Sequence, residues 1–303
     1  MFNKATKKNI NQIELSGYIK SLISLMKPRV MSLVIFTCAV GFITSNPNLK
    51  TFDAIIAITL VALGSGAAGC LNMWYEADLD ALMTRTCLRP IPTGKINRQQ
   101  ALIFGILLTA FSVVSLNYFT NFLSAFLLFF TIAFYLFVYT IWLKRKTPQN
   151  IVIGGIAGSL PPVIGWTIST NSISLVPISL FLIIFFWTPS HFWALSLYKA
   201  DDYKKAKIPM MPITDGAEKT KLYILIYSLL MLPVVILPYV INFSGFIYII
   251  PVMMLTFYYN FLCIDLYRYK KNKFDLKKAK KVFGYSILYL FLIFVLFLLD
   301  YLI

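Results

Sequence analysis

The residues best suited to chemistry lie between two apolar runs, in the stretch LNMWYEADLDALMTRTCLRPIPTGK over residues 71–95. Asn72, Glu76 and Asp80 recur every fourth residue. On an α-helix each such step advances about 40° beyond a full turn, so the three share one face, with Asp78 on roughly the opposite one. The whole chain has 12 acidic residues, and this helix gathers Glu76, Asp78 and Asp80 within five positions. One amide and two carboxylates form an all-oxygen set, the donor type that Mg²⁺ takes. Arg85, Arg89 and Lys95 follow, and guanidinium groups meet phosphate oxygens through paired N–H donors. Together they suit a Mg²⁺ ion bridged to a phosphate group. On a soluble protein the same residues would read as a solvated helix end with i,i+4 charge pairs. The apolar flanks weigh against that here.

A second acidic cluster closes FFWTPSHFWALSLYKADDYKKAKIPMMP, residues 185–212. It holds the chain's single histidine, His191, then Tyr198, Lys199, Asp201 and Asp202, with Tyr198 and Asp202 four apart. An ionised carboxylate at the centre of a bilayer costs about 2.5–3.5 kcal/mol on insertion scales. Carboxylates gathered at a helix end repel one another unless a cation joins them. Two acidic clusters with basic side chains beside them therefore point to a bound metal and a polyphosphate. A diphosphate ester with a long hydrocarbon tail fits, its head at a polar mouth and its tail among Phe and Leu. The chemistry is Mg²⁺-assisted loss of diphosphate, leaving an allylic cation for a nucleophile. His191 alone reads equally as a hydrogen-bonded core residue, a metal ligand or an acid–base group.

The elements that must position these groups are membrane helices. The chain is 59% hydrophobic and 13% charged, with a mean hydropathy of +0.75, whereas soluble domains are about a quarter charged. Apolar runs fall at roughly 30–45, 54–73, 101–116, 122–143, 151–169, 174–197, 222–241, 245–264 and 283–303. Each is near the ~20 residues a helix needs to cross the hydrocarbon, and lipid favours helix because it satisfies its own backbone. That predicts nine spans, two of them short enough that one can be re-entrant. Every Lys and Arg except Lys50 lies before the first run or after the second, fourth, sixth or eighth. By the positive-inside rule the N-terminus is cytoplasmic and the C-terminus is not, which requires an odd number of spans. The +16 net charge follows from this topology and from anionic lipid contact, and argues against a nucleic-acid partner. Cys38, Cys70, Cys87 and Cys263 stand singly, with no CxxC, and read as small core residues. The N-terminus has a charged start without an adjacent apolar core, so no cleaved signal peptide is expected.

Residues 1–26 read as a cytoplasmic arm ending in an amphipathic interfacial segment, YIKSLISLM. Residues 27–303 read as one polytopic domain. Pro28 opens the first span at a tolerated first-turn position. Ser65 and Gly69 have the small-xxx-small spacing of closely packed helices. Span five, IVIGGIAGSLPPVIGW, carries Pro161 and Pro162, which imply a kink, and glycines that permit close approach of a neighbour or ligand. Lys144, Arg145 and Asn150 precede it at the membrane surface. Spans seven to nine, with Pro233 and Pro238, read as scaffold almost free of intramembrane polar residues.

The Asn72-xxx-Glu76-xxx-Asp80 face, followed by Arg85-Thr86 and Arg89-Pro90-Ile91-Pro92-Thr93-Gly94, resembles the first motif of the UbiA superfamily of intramembrane prenyltransferases. Tyr198-xxx-Asp202 resembles its second. Lys27-Pro28-Arg29-Val30 and the blocks at 75–86, 143–166 and 187–212 are similar to the haem-farnesylating branch of that superfamily. The resemblance implies an all-α bundle of nine transmembrane helices around a central cavity open to the cytoplasmic side. It implies transfer of farnesyl from farnesyl diphosphate to a vinyl group of haem B, with water adding, in a bacterial inner membrane. Asn72, Glu76, Asp80, Asp201 and Asp202 would then hold Mg²⁺ and the diphosphate. Arg85, Arg89, Lys144 and Arg145, with Lys199 and Tyr198 nearby, would bind the leaving group, and Asn150 and His191 would lie on the haem side. Haem-handling or terminal-oxidase assembly proteins are the partners such an activity implies. Met73 stands where the superfamily often has Asp, Glu76 replaces a more usual Asp, and Lys207 stands where Gly is expected. The rivals are a UbiA-type prenyltransferase acting on a quinone precursor, a secondary transporter and a non-catalytic assembly factor. Broken helices are a transporter feature, but the chain has no convincing internal repeat and its polar groups gather at one face of the bilayer.

Overall fold

The computed structural model describes residues 16–47, 49–269 and 276–303, so the start of the N-terminal arm lies outside the described residues. Helix α1 (Ser16–Leu25) runs through an elbow at Met26–Lys27 into α2 (Pro28–Ile43). Then come α3 (Thr51–Tyr75), the short α4 (Ala77–Leu82), α5 (Arg98–Phe119) and α6 (Phe122–Ala133), which continues as a π-helix over Phe134–Leu143. Helices α7 (Asn150–Ser159), α8 (Pro161–Thr170) and α9 (Leu175–Tyr198) precede two short pieces, α10 (Ala200–Lys205) and α11 (Met211–Thr214). Helices α12 (Ala217–Val240), α13 (Phe246–Arg268) and α14 (Leu276–Leu302) complete the bundle. All nine apolar runs are helical. Among the described residues eight helical stretches are long and apolar enough to span a membrane, and counting the α1–α2 pair, bent by 54°, as one more gives nine.

Local sequence explains where the helices begin. Asn97 and Gln100 form a reciprocal capping box at the start of α5, and Asn121 accepts from the Ser124 N–H at the start of α6. Pro161 ends α7 and opens α8 from its first turn, so span five is two helices divided at Leu160. Its Gly165 answers to packing. A Cβ there would sit 1.9 Å from the Cys38 carbonyl oxygen, and one on Gly41 would sit 2.1 Å from that of Pro162. Helices α2 and α8 thus touch backbone to backbone.

Two large apolar cores hold most of the bundle. One joins α2, α3, α5, α6 and α8; the other is built mainly from α9, α12, α13 and α14. The second is less plain than its sequence implies. Tyr259 donates to Ser190 Oγ, Tyr248 to the Val235 carbonyl, Tyr289 shares a 2.8 Å bond with Thr256, and Trp187 donates to the Ser286 carbonyl. Spans seven to nine therefore carry a ladder of buried hydroxyls and not only hydrocarbon. The reason is that tyrosine counts as apolar in a hydropathy run yet brings a hydroxyl that needs a partner.

Candidate active site

Helix α3 ends at Tyr75, and Glu76 bridges it to α4 with φ −93° and ψ 13°. The Glu76 N–H still donates to the Asn72 carbonyl at 3.0 Å, and the Asp80 N–H to that of Glu76 at 2.8 Å. These i→i+4 bonds carry the expected face across the break. Asn72, Glu76 and Asp80 are all buried, at 2%, 3% and 3% exposure. Asp78 faces away and pairs with Arg145 at 2.9 Å on the surface.

Burying two carboxylates requires partners for them. Lys144 Nζ lies 2.5 Å from Glu76 Oε2, and Arg89 Nη1 donates to both Asp80 oxygens at 2.8 Å. Asn72 joins two further elements: Oδ1 accepts from Lys27 Nζ at 2.7 Å, and Nδ2 donates to Thr140 Oγ1 at 3.0 Å. Glu76 Oε1 is buried without a hydrogen-bond partner among the described residues.

The cations are delivered by specific backbone. The loop after α4 folds back on itself, Thr86 Oγ1 donating to the Asp80 carbonyl at 3.0 Å, and this returns Arg89 to Asp80. Lys144 follows the π-helix, whose wider turn is seen where Thr140 Oγ1 meets the Tyr135 carbonyl five residues back. Burial alone would lower the Lys144 ammonium, but the Glu76 carboxylate offsets it and holds the group above the ordinary lysine range.

The second acidic motif sits where α9 gives way to α10. Asp202 is buried at 6% exposure, while Asp201 beside it is exposed. Thr84, four residues past Asp80, places its hydroxyl 2.8 and 2.9 Å from the two Asp202 oxygens. The loop that carries Arg89 therefore also touches the distant motif. Arg85 in the same loop is exposed, with no hydrogen bond or ion pair among the described residues. Lys199 lies over the Tyr198 ring at 5.9 Å, and that ring meets Phe283 edge-on at 5.7 Å.

Among the described residues no group of three or more His, Cys, Asp or Glu side chains is close enough to hold a metal ion. Of the five residues that the resemblance assigns to Mg²⁺, Glu76 and Asp80 each face their own cation and Asp201 faces solvent. Hard oxygen donors and the unpartnered Glu76 Oε1 nonetheless fit Mg²⁺. His191 is buried and stacked between Trp187 (4.2 Å) and Phe283 (4.6 Å), with Nδ1 2.7 Å from Ser286 Oγ. Asn150 is fully buried, its Nδ2 on the Thr147 carbonyl at 2.5 Å and its Oδ1 without a partner among the described residues. Neither is hydrogen-bonded to the acidic residues; Phe283, which touches both His191 and Tyr198, links that pocket to the second motif. Lys27, Thr84 and Thr140 are the members that sequence reasoning passes over. Lys27 had a signal, since it precedes Pro28 in a block already singled out, but that block reads first as a helix start.

Residues 33–287 match the UbiA prenyltransferase family. A Pelagibacter ubique protein named protoheme IX farnesyltransferase is 69% identical over 98% of both chains. One of the same name from Azorhizobium caulinodans is 50% identical over 92% of this chain and 91% of its own. The fold is shared with a digeranylgeranylglyceryl phosphate synthase (TM-score 0.78, 17% identity, 94% of this chain and 98% of that one). It is shared also with a UbiA homologue from Archaeoglobus fulgidus solved with DMAPP and Mg²⁺ (TM-score 0.68, 19% identity, 91% and 99%). A multi-pass membrane bundle with this match and these relatives belongs to the UbiA prenyltransferase family.

Proposed function

We propose that this membrane protein transfers farnesyl from farnesyl diphosphate to a vinyl group of haem B, with water adding, to give haem O and diphosphate. The observation that carries the site is the Thr84 bridge, which ties Asp202 to the loop that pairs Arg89 with Asp80. The relatives bearing the name of this activity cover almost the whole chain, and the family's solved members include one with a prenyl diphosphate and Mg²⁺.

Asn72, Glu76, Asp80 and Asp202, with Asp201 at the rim, are the residues to hold Mg²⁺. When bound, the ion neutralises charge on the leaving diphosphate. Arg89 and Lys144 already point into the cluster and donate to diphosphate oxygens, while Arg85, unpartnered among the described residues, closes from the loop, with Lys199 and Tyr198 across from it. Arg145, engaged with Asp78 on the surface, serves the entry side. As the C1–O bond of the prenyl chain breaks, the diphosphate leaves with the electron pair. The terminal vinyl carbon bonds to C1, positive charge passes to the vinyl carbon next to the porphyrin, and water adds there and gives up a proton. Asn150 and His191 are assigned to the haem side. Residues 27–303 act as one unit in the inner membrane, with the N-terminus and the site's mouth cytoplasmic. Haem-handling or oxidase-assembly proteins would take the product.

Purified protein given farnesyl diphosphate, haem B and Mg²⁺ should yield haem O by mass spectrometry, and a chelator should stop it. A prenylated product from 4-hydroxybenzoate in place of haem O would sink the reading.

A further inference from the structure

Lys27 sits at the elbow between α1 and α2 with φ 54° and ψ 55°, the left-handed region that a side chain normally disfavours. Pro28 follows, and a residue before proline prefers extended backbone. Such strain persists only where surroundings enforce it, and it collects at ligand sites. Here the enforcing residues are visible. On α3, a Cβ on Gly66 would come 2.8 Å from Met26 Cε, and one on Gly69 would come 3.4 Å from Lys27 Cδ. Gly66 and Gly69 of α3 thus receive the elbow, while Gly64 faces Leu128 of α6. Leu25 is fully buried and clusters with Cys70, Met73, Ile96 and Ala101.

The outcome is that Lys27 Nζ reaches Asn72 Oδ1 at 2.7 Å. An ammonium has three N–H donors, and one is used among the described residues. Its acceptor is a neutral amide, because Glu76 is taken by Lys144 and Asp80 by Arg89. Lys27 is therefore an extra cation beside two pairs that already balance. Such a group is favourable once an anion lies among the cations.

We propose that Lys27 is a diphosphate-binding residue: its ammonium donates to non-bridging oxygens of the allylic diphosphate while its bond to Asn72 keeps that amide oxygen turned toward the site. The assignment rests on the diphosphate reading above. A merely structural Lys27, tying the elbow to α3, would leave ligand affinity unchanged when the charge alone is removed.

The full chain in lipid nanodiscs with Mg²⁺ and no haem, titrated calorimetrically with farnesyl thiolodiphosphate and separately with inorganic diphosphate, decides between them. Lys27→Gly suits the positive φ, so its unfolding temperature should hold or rise, while affinity for both probes falls about tenfold or more. Lys27→Arg should retain most of the affinity. In turnover, the KM for farnesyl diphosphate should rise and that for haem B should not. Should Lys27→Gly fold poorly, Lys27→Met is read against the same expectation. Wild-type affinity in either uncharged variant overturns the assignment. Failure of the wild type to bind farnesyl thiolodiphosphate while binding inorganic diphosphate would instead overturn the farnesyl reading, and the variants are then compared on inorganic diphosphate.

Discussion

The polar groups buried near Asn72 and those buried between α9, α13 and α14 differ in kind. Around Asn72 they are ionic: Lys27, Glu76, Asp80, Arg89 and Lys144 converge from the α1–α2 elbow, α3, α4, its following loop and the end of the π-helix. In the other region they are neutral. Tyr259 donates to Ser190, Tyr289 pairs with Thr256, Tyr248 donates to backbone and Ser286 meets the His191 ring, with Asn260 Oδ1 left over among the described residues. A network of neutral groups that mostly satisfy one another stabilises a bundle without asking for a charged ligand. A cluster with an extra ammonium and an orphan carboxylate oxygen is complete only when something charged enters. The contrast separates a working site from a scaffold within one apolar chain.

The strongest attempt to break that contrast is Asp80→Asn. It keeps the shape and an acceptor for Arg89 but removes the charge. Haem O formation should fall on the order of 10²–10³-fold, the range seen when one charge-stabilising group is lost from an active site, with a far smaller change in unfolding temperature. A stability loss with activity per folded molecule intact would assign Asp80 to the scaffold. Next in size is Gly165→Ala, where the new Cβ meets the Cys38 carbonyl oxygen and α2 must move. About 3 kcal/mol of stability should be lost, the upper end for overpacking, as read by thermal unfolding in nanodiscs. Thr256→Val removes a hydroxyl partner of Tyr289 in the neutral region. It should cost about 1–3 kcal/mol while kcat per folded molecule stays unchanged; a fall in kcat would extend the working site into the scaffold.

Hydropathy made the nine runs legible because an apolar run of ~20 residues satisfies its own backbone in lipid as a helix. The four-residue spacing made the acidic face legible, and it survives the break at Glu76 because both i→i+4 bonds are kept. The single cysteines read as core residues, and Cys38, Cys70 and Cys263 are free and buried. What stayed hidden depends on contacts between distant segments. Nothing in FYLFVYTIWL tells an i→i−4 ladder from an i→i−5 one, yet the π-helix decides where Thr140 and Lys144 point. The partner of His191 is Ser286, 95 residues on. The reach of Lys27 depends on room left by glycines of α3, which a linear reading assigned to helix pairing.

Lys207 gives the smallest effect and a control for Lys27. Both lysines have positive φ, 52° and 54°, but Lys207 is exposed after α10, between buried Ala206 and Ile208. Left-handed backbone costs a residue with a side chain about 1–2 kcal/mol, while glycine adds about 0.5–1 kcal/mol of unfolded-state entropy to be lost on folding. Lys207→Gly should therefore stabilise the protein by about 0.5 kcal/mol, with diphosphate affinity and turnover unchanged. If it weakened diphosphate binding as much as Lys27→Gly, the loss at position 27 would follow from loosening a strained turn, and the charge of Lys27 would explain nothing. If only Lys27→Gly weakens binding, strain is common to both turns and the ammonium directed at Asn72 is what distinguishes them.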